Sequence, residues 1–454
     1  MKRIFSIIFL LFLCFHTSLM AQRTMNTLNN QFGSSANGLD RNQYDRNGNP
    51  IDTTAVVDAN TIPIGLYSWK VDSRFGNVTY IPVDTLQHAF QNSNDMGGYT
   101  GQYNYLGNLG SPRLSRIFFD RRDPSQYFFT DPYDFCVQRP EDVIFTNTFS
   151  PFTNLSYYKG GGSRDGEERF KSYFAINANK RLGFGFYIDY LYGRGLYQDQ
   201  STAFFNGGLF SSYRGDKYDM HFIFNNDNLK MAENGGITDD RYITNPLDMA
   251  EGKKEYSANE IPTRLSQIWN HNTSYHAFLT HRYNLGFYKE KQDSVDTDSV
   301  KITQVFVPVT SFIHTLHVDL NNRKYISYDD AQNQKYFEHN YLGTDSIDKT
   351  KRTSIKNTIG IALQEGFNKW AKAGLTAFLS YEYRNFALTD TTNIPGQRII
   401  NNYKESSLSI GGELSKKQGK LLHYNILGEL AIAGEDAGQF SVEGRGDLNL
   451  RLFG

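Results

Sequence analysis

The sequence predicts an all-β fold: a transmembrane antiparallel up-and-down β-barrel of about twelve visible strands, preceded by a small N-terminal unit. Three observations predict it. An export signal opens the chain, many later segments alternate oily and polar residues with a period of two, and short and long connections mostly alternate between them.

The export signal comes first. Lys2 and Arg3 precede an apolar run from Ile4 to Phe15, and the chain then passes Ser18-Leu19-Met20-Ala21 to Gln22. A basic start, a short apolar middle and a small residue at the exit describe a secretory signal peptide over residues 1–21, cut after Ala21. The run is too short to span a bilayer comfortably as a helix. Cys14 raises a lipoprotein signal as the competing reading, but the residue before it, Leu13, is large where such signals carry a small one. Without Lys2 and Arg3, the 47 basic residues fall to 45 against 48 acidic ones, a formal charge of −3. That balance argues against a nucleic-acid partner, which requires a basic face. Only Cys136 survives cleavage, so neither an internal disulfide nor a cysteine metal cluster can form. Aromatic residues reach 15% and glycines number 39, yet mean hydropathy is −0.54. An exported chain of this composition can still cross a membrane as strands, each needing one apolar face.

Residues 22–61 read as a flexible linker. Asn29-Asn30, Gly33-Ser34-Ser35, Asn37-Gly38 and Asn47-Gly48-Asn49-Pro50 are turn chemistry with almost nothing to bury. Asp45, Asn47, Asn49 and Asp52 suggest a calcium loop, but the glycine offset is wrong and no closing Glu follows. Residues 62–150 read as the N-terminal unit, with a hairpin of Tyr67–Val71 and Gly76–Ile81 and compact pieces near Tyr99–Leu106 and Leu114–Phe119. Whether this unit is periplasmic or sits like a plug in a barrel mouth stays open.

Residues 151–454 read as the barrel. The first strand lies near Phe152–Lys159 and closes on the glycine-rich loop Gly160–Gly166. The stretch Lys372–Arg384 shows the rule. Ala373, Leu375, Ala377, Leu379, Tyr381 and Tyr383 fall on one face, and Lys372, Gly374, Thr376, Phe378, Ser380, Glu382 and Arg384 on the other. The same division runs through Phe170–Ala178, Leu182–Tyr192, Ala203–Tyr213, Tyr218–Asp227, Tyr275–Phe287, Phe312–Arg323, Ser354–Gln364, Tyr403–Leu414, Leu422–Ile432 and Phe440–Leu452. Asn179–Arg181, Arg214–Lys217, Phe367–Ala371 and Lys416–Lys420 are short connections; those near 229–271, 324–352 and 387–402 are long, with Lys289–Lys301 the exception on the turn side. Trp370, Tyr325, Tyr381, Tyr383 and Phe386 are read as girdle aromatics near strand ends. A soluble β-sandwich is the competing fold, but it seldom strings so many long strands in series with charged opposite faces.

Catalytic chemistry is mostly absent. His314 and His317, three apart on a strand, point to opposite faces, as do His276 and His281. No H-E-x-x-H, G-x-S-x-G or P-loop occurs, and the Gly160 cluster precedes a strand rather than a helix. Asp293, Asp296 and Asp298 read as a solvated connection. No catalytic residue, metal site or cofactor is expected. What remains is the polar face. Glu443, Arg445, Asp447 and Arg451 line one wall, Lys372, Glu382 and Arg384 another, and His317 and Asp319 a third. Charges facing the inside of a closed barrel are tolerated beside water or paired with each other. They are therefore candidates for a pore lining of mixed charge; the alternative is a salt-bridge network that fills the lumen.

Five blocks carry a resemblance to a known family: Trp69-Lys70-Val71-Asp72, Pro82-Val83-Asp84-Thr85-Leu86, Tyr105-Leu106-Gly107-Asn108-Leu109-Gly110-Ser111-Pro112, Ser150-Pro151-Phe152-Thr153-Asn154-Leu155-Ser156-Tyr157 and Glu233-Asn234-Gly235-Gly236-Ile237. Together they resemble the putative porin family of Gram-negative outer membranes. The resemblance implies an outer-membrane barrel with passive solute transport and brings no catalytic residues. It also implies a chain longer than this one, which ends Leu452-Phe453-Gly454 directly after a strand, with closure near twelve strands as the alternative. The expectation is therefore a barrel held in outer-membrane lipid that passes small polar solutes by diffusion, and not an enzyme. A non-conducting barrel acting as an adhesin or assembly scaffold through long outer loops is the alternative, and a soluble secreted β-rich binding protein is a third reading. Oligomeric state is not written in the sequence.

Overall fold

The computed structural model describes residues 65–83, 96–98, 100–162, 165–250, 256–296, 299–328, 336–337, 347–368, 370–391, 398–418 and 421–448. Residues 1–59 and 60–454 separate as two units, and every described residue belongs to the second. The export signal of residues 1–21, the linker of residues 22–61, Arg451 and Phe453 lie outside the described residues.

Five short strands come first: β1 (Tyr67–Val71), β2 (Val78–Ile81), β3 (Tyr103–Tyr105), β4 (Arg113–Ser115) and β5 (Phe145–Asn147). The expected hairpin is β1–β2, and β3–β4 is a second. β5 returns to pair with the other edge of β1, Trp69 opposite Phe145, an association no local pattern announces.

Twelve long strands follow: β6 (Phe152–Gly160), β7 (Glu167–Asn177), β8 (Leu182–Gly193), β9 (Thr202–Arg214), β10 (Tyr218–Ala232), β11 (Ile268–Asp296), β12 (Ser299–Ser327), β13 (Ile347–Leu363), β14 (Gly374–Thr391), β15 (Arg398–Lys416), β16 (Leu422–Gly434) and β17 (Phe440–Leu448). Each pairs antiparallel with its neighbour in the chain, an up-and-down sheet of twelve strands. No ladder joins β6 to β17 among the described residues, so the sheet is open there.

The alternation decides the faces. On β14, Leu375 is 56% exposed and Leu379 43%, while Thr376, Ser380 and Arg384, of the opposite parity, are buried. The register keeps like with like: Ile355, Ile359 and Leu363 stand opposite Tyr383, Leu379 and Leu375, and Ser354, Lys356 and Thr358 opposite Arg384, Glu382 and Ser380. The oily set forms an outer face covered by nothing among the described residues, which hydrocarbon accommodates and water penalises. The other face, the inner one, carries the N-terminal unit.

That contact is where the core lies. Trp69, Val71, Val143 and Phe145 bury against Ala175, Tyr187, Phe210, Ile223 and Phe278 of the wall. Met96, Leu109, Tyr133 and Cys136 bury against Leu191, Phe204, Leu229 and Met231. Phe75 closes a third cluster with Ile313, Ala362, Phe378 and Leu427. At these three clusters the wall therefore carries apolar side chains on its inner face as well as its outer one.

Two expectations are corrected. Lys289–Lys301 is not a loop: β11 and β12 stay paired to Asp296 opposite Ser299, past a bulge at Leu285/Gly286. β10 reaches only Tyr283 and β13 begins only at Thr310, so the stretch between is a two-stranded ribbon continuing beyond the sheet. Val295, Val300, Ile302, Val305 and Val307 supply its strand propensity, which the interspersed charges obscured. Nor are the girdle aromatics all at the outer rim. Tyr381 and Tyr383 sit mid-strand on the outer face, whereas Phe386 shares the inner parity of Arg384, and Tyr325, on the inner side of β12, packs against Phe337.

Candidate functional site

The tip of the β1–β2 hairpin is the most tightly held part of the inner face. Asp72 accepts the backbone N–H groups of Arg74 at 2.9 Å, Phe75 at 2.6 Å and Asn77 at 2.7 Å, so one carboxylate fixes the whole turn. Gly76 adopts φ +65°, and a Cβ built there would stand 2.5 Å from Thr280 Oγ1 on β11: the turn is pressed against the wall where only glycine fits. His317 Nε2 donates to the Ser73 carbonyl at 2.6 Å. Arg282 donates to the Phe75 carbonyl at 3.2 Å and to Asn77 Oδ1 at 2.7 Å. Phe75 meets Phe378 edge to face at 5.3 Å, and the Arg74 guanidinium lies 5.4 Å from the same ring and pairs with Glu429 on β16.

The family-like block around Gly110 docks a second point of the unit. Leu109 N donates to Glu167 Oε1 at 2.6 Å, Thr202 Oγ1 donates to the Leu109 carbonyl at 2.7 Å, and Gly110 (φ +82°) lies where a Cβ would meet Leu191 and Thr202 at 2.7 Å. Beneath it, Arg169 reaches Asp189 through two bonds of 2.9 and 2.6 Å and the Phe135 carbonyl through a third of 2.9 Å. Burial, helped by the nearby Asp189 carboxylate, pushes the Cys136 thiol well above its ordinary range.

Along the wall the charged residues form a chain of contacts across strands. His276 stands 3.6 Å from Asp227 and 2.7 Å from Asp319; Asp319 lies 4.0 Å from Arg352, and Arg352 3.7 Å from Glu382. Further along, Arg384 bridges Glu405 at 3.2 Å and Asp436 at 2.7 Å. Asp436 lies in the β16–β17 connection, and its bond from Arg384 holds its carboxyl below the usual range.

The sequence-derived candidates thus divide. His317, Asp319, Glu382 and Arg384 all stand on the inner face in this network. Glu443, Arg445 and Asp447 share that face, opposite Leu427, Asn425 and His423, with Arg445 and Asp447 3.7 Å apart and open to solvent. Lys372 is corrected: it lies before β14, exposed in the connection from β13. The turn consumes it, because Asn368 Oδ1 caps the N–H groups of Trp370 and Ala371 and the Lys372 N–H bonds back to the Trp370 carbonyl. Arg74, Arg169, Arg282 and Arg352 were missed. A lone arginine on a polar strand face carries no signal until its partner strand is known.

Where the unit stops covering the wall, a cleft of about 210 Å³ opens over β13–β17. Lys356, Glu382, Glu429 and Asp436 line it, and Ser380, Ser407, Ser409 and Ser441 set hydroxyls between the charges. Such a surface exchanges hydrogen bonds with water and small polar molecules, and it offers no nucleophile–base pair. Among the described residues, no group of three or more metal-binding side chains gathers.

Twelve antiparallel strands, an oily outer face and a charged inner face carrying a folded N-terminal unit define an outer-membrane β-barrel protein. The chain belongs to the family described as putative porin, whose profile matches residues 65–453. Among solved structures it is similar to the siderophore receptor PirA from Acinetobacter baumannii, at 10% identity and TM-score 0.43, over 69% of this chain and 43% of that one. The ferric enterobactin receptor PfeA from Pseudomonas aeruginosa aligns at 8% identity and TM-score 0.41, over 66% of this chain and 42% of that one. The ferric-catecholate import receptor Fiu from E. coli K12 aligns at 8% and 0.40, over 68% and 53%. The chain thus spans about half the length of these receptors or less. Among curated proteins, none matches it by sequence.

Proposed function

We propose that the protein, exported by the signal of residues 1–21, is a porin-like barrel through which small polar solutes diffuse passively, with no catalytic step. The uncovered cleft over β13–β17 is the path, and the N-terminal unit is a plug that occupies the inner face beside it. One observation carries this reading: charged and hydroxyl side chains of the inner wall line a cleft that the unit leaves open over β13–β17, while apolar clusters of the same wall are buried beneath the unit. Charges there are stable against water, and those of mixed sign leave little preference between ions.

Single-channel recording of the full-length protein in a planar bilayer tests it. Discrete conductance steps that change in size on Glu382→Ala or Lys356→Ala are expected. A bilayer that stays silent while the protein is inserted overturns the reading in favour of a scaffold or adhesin barrel, for which the firmly docked tip of residues 72–77 would serve as a permanent seal.

A further inference from the structure

Three carboxylates line the cleft, Glu382, Glu429 and Asp436, and Glu405 stands beside it on β15. The wall itself answers three of these four. Arg352 stands 3.7 Å from Glu382, and Arg384 lies 3.2 Å from Glu405 and 2.7 Å from Asp436. Lys356 lines the cleft as a further cation. The ion partner of Glu429 comes from elsewhere: it is Arg74, borne by the N-terminal unit 355 positions earlier in the chain. Among the carboxylates that line the cleft, Glu429 is thus the one whose ion pair is made by the plug.

We infer that Arg74 sets the ion selectivity of this path, as a counter-charge lent by the N-terminal unit. The inference rests on the diffusion path proposed above. The backbone that carries it is held in place. Asp72 binds the Arg74 N–H, Phe75 locks into the cluster with Phe378 and Leu427, and Gly76 abuts Thr280, so the guanidinium is presented over the Phe378 ring and within reach of Glu429. Both partners remain partly open to solvent, at 28% and 16% of their side-chain surface, and so they act on ions in the water beside them. A unit charge about 6 Å from a permeating ion alters that ion's occupancy by roughly threefold in water, and by less as salt screens it. Removal of one member of the pair therefore leaves the other as a selectivity charge.

The test is the reversal potential of full-length channels under a KCl gradient. Wild type is expected to pass K⁺ and Cl⁻ nearly equally. Arg74→Gln should raise the cation-to-anion permeability ratio by about threefold or more, Glu429→Gln should lower it by a similar factor, and the double variant should return to wild type. Both single variants break the same contact, so a merely structural role would move them in the same direction. Arg74→Cys covers the case in which a single variant folds poorly. Once its channels are open, a cationic methanethiosulfonate should restore the wild-type ratio and an anionic one should push it further toward cations. Open channels whose ratio does not move, or moves the same way for both variants, overturn this inference alone. A silent wild-type bilayer overturns the diffusion path and this inference together.

Discussion

Arg169 shows what a single side chain can decide here. It is among the largest fully buried residues, and its charge is carried by the paired bonds to Asp189 on the neighbouring strand. Breaking such a pair from one side strands a charge away from water, which costs about 3–5 kcal/mol. Asp189→Ala is therefore expected to lower unfolding stability in detergent by that amount, whereas replacing both partners with apolar residues of similar volume should recover most of the loss. Cys136 makes a second residue-scale prediction. Because burial raises its thiol, it stays protonated at pH 8, where a free cysteine is partly thiolate. A maleimide should leave the folded protein unlabelled and modify it stoichiometrically once denatured. Neither property could be read from the letters. Arg169 and Asp189 lie twenty positions apart on adjacent strands, and the burial of Cys136 depends on a wall that is built later in the chain.

At the scale of the element, the period of two was legible because it is a property of one strand alone. From Gly374 to Arg384 the expected division into an oily and a polar set is the one found in β14, down to Leu375 and Leu379 outside and Glu382 and Arg384 inside; Lys372 falls in the turn before it. It follows that Leu379→Arg places a charge on the outer face and should cost about 2–4 kcal/mol in a bilayer-equilibrated unfolding measurement, with Ser380→Ala far milder. Phe378 is instructive by contrast. The pattern puts it on the polar face, and it is there, but its ring serves Phe75 rather than water. Gly76→Ala should loosen that hairpin tip, since the added methyl meets Thr280 and the backbone is left-handed; a loss of roughly 1–2 kcal/mol is expected, read as faster proteolysis near residues 72–77. Strand ends were the least legible. The ribbon of β11 and β12 and the turn position of Lys372 both hinge on hydrogen-bond partners that no window of sequence contains.

For the molecule as a whole, the sequence discloses a membrane β-barrel fold, and leaves open where the short elements that precede it go. The reason is physical. Strand-to-strand contacts run between chain neighbours, while the contacts that seat the unit join residues such as Trp69 and His221, or Arg74 and Glu429, 152 and 355 positions apart. The wall nevertheless carries the trace of its lodger in Leu191, Phe204, Ile223, Leu229 and Phe278, apolar residues at inner positions that a water-filled pore has no use for. With its outer face oily and exposed, the protein should partition into detergent on phase separation and stay there in high salt.

The pairing of β1 with β5 has a consequence for the wall beside it. That small sheet brings together the two ends of a segment some eighty residues long, and its side chains are the floor on which Tyr187, Phe210, Ile223 and Phe278 come to rest. The wall there is not finished by its own strands: its inner side chains are closed over by a body that the chain makes before the first of them, so leader and enclosure share one interior.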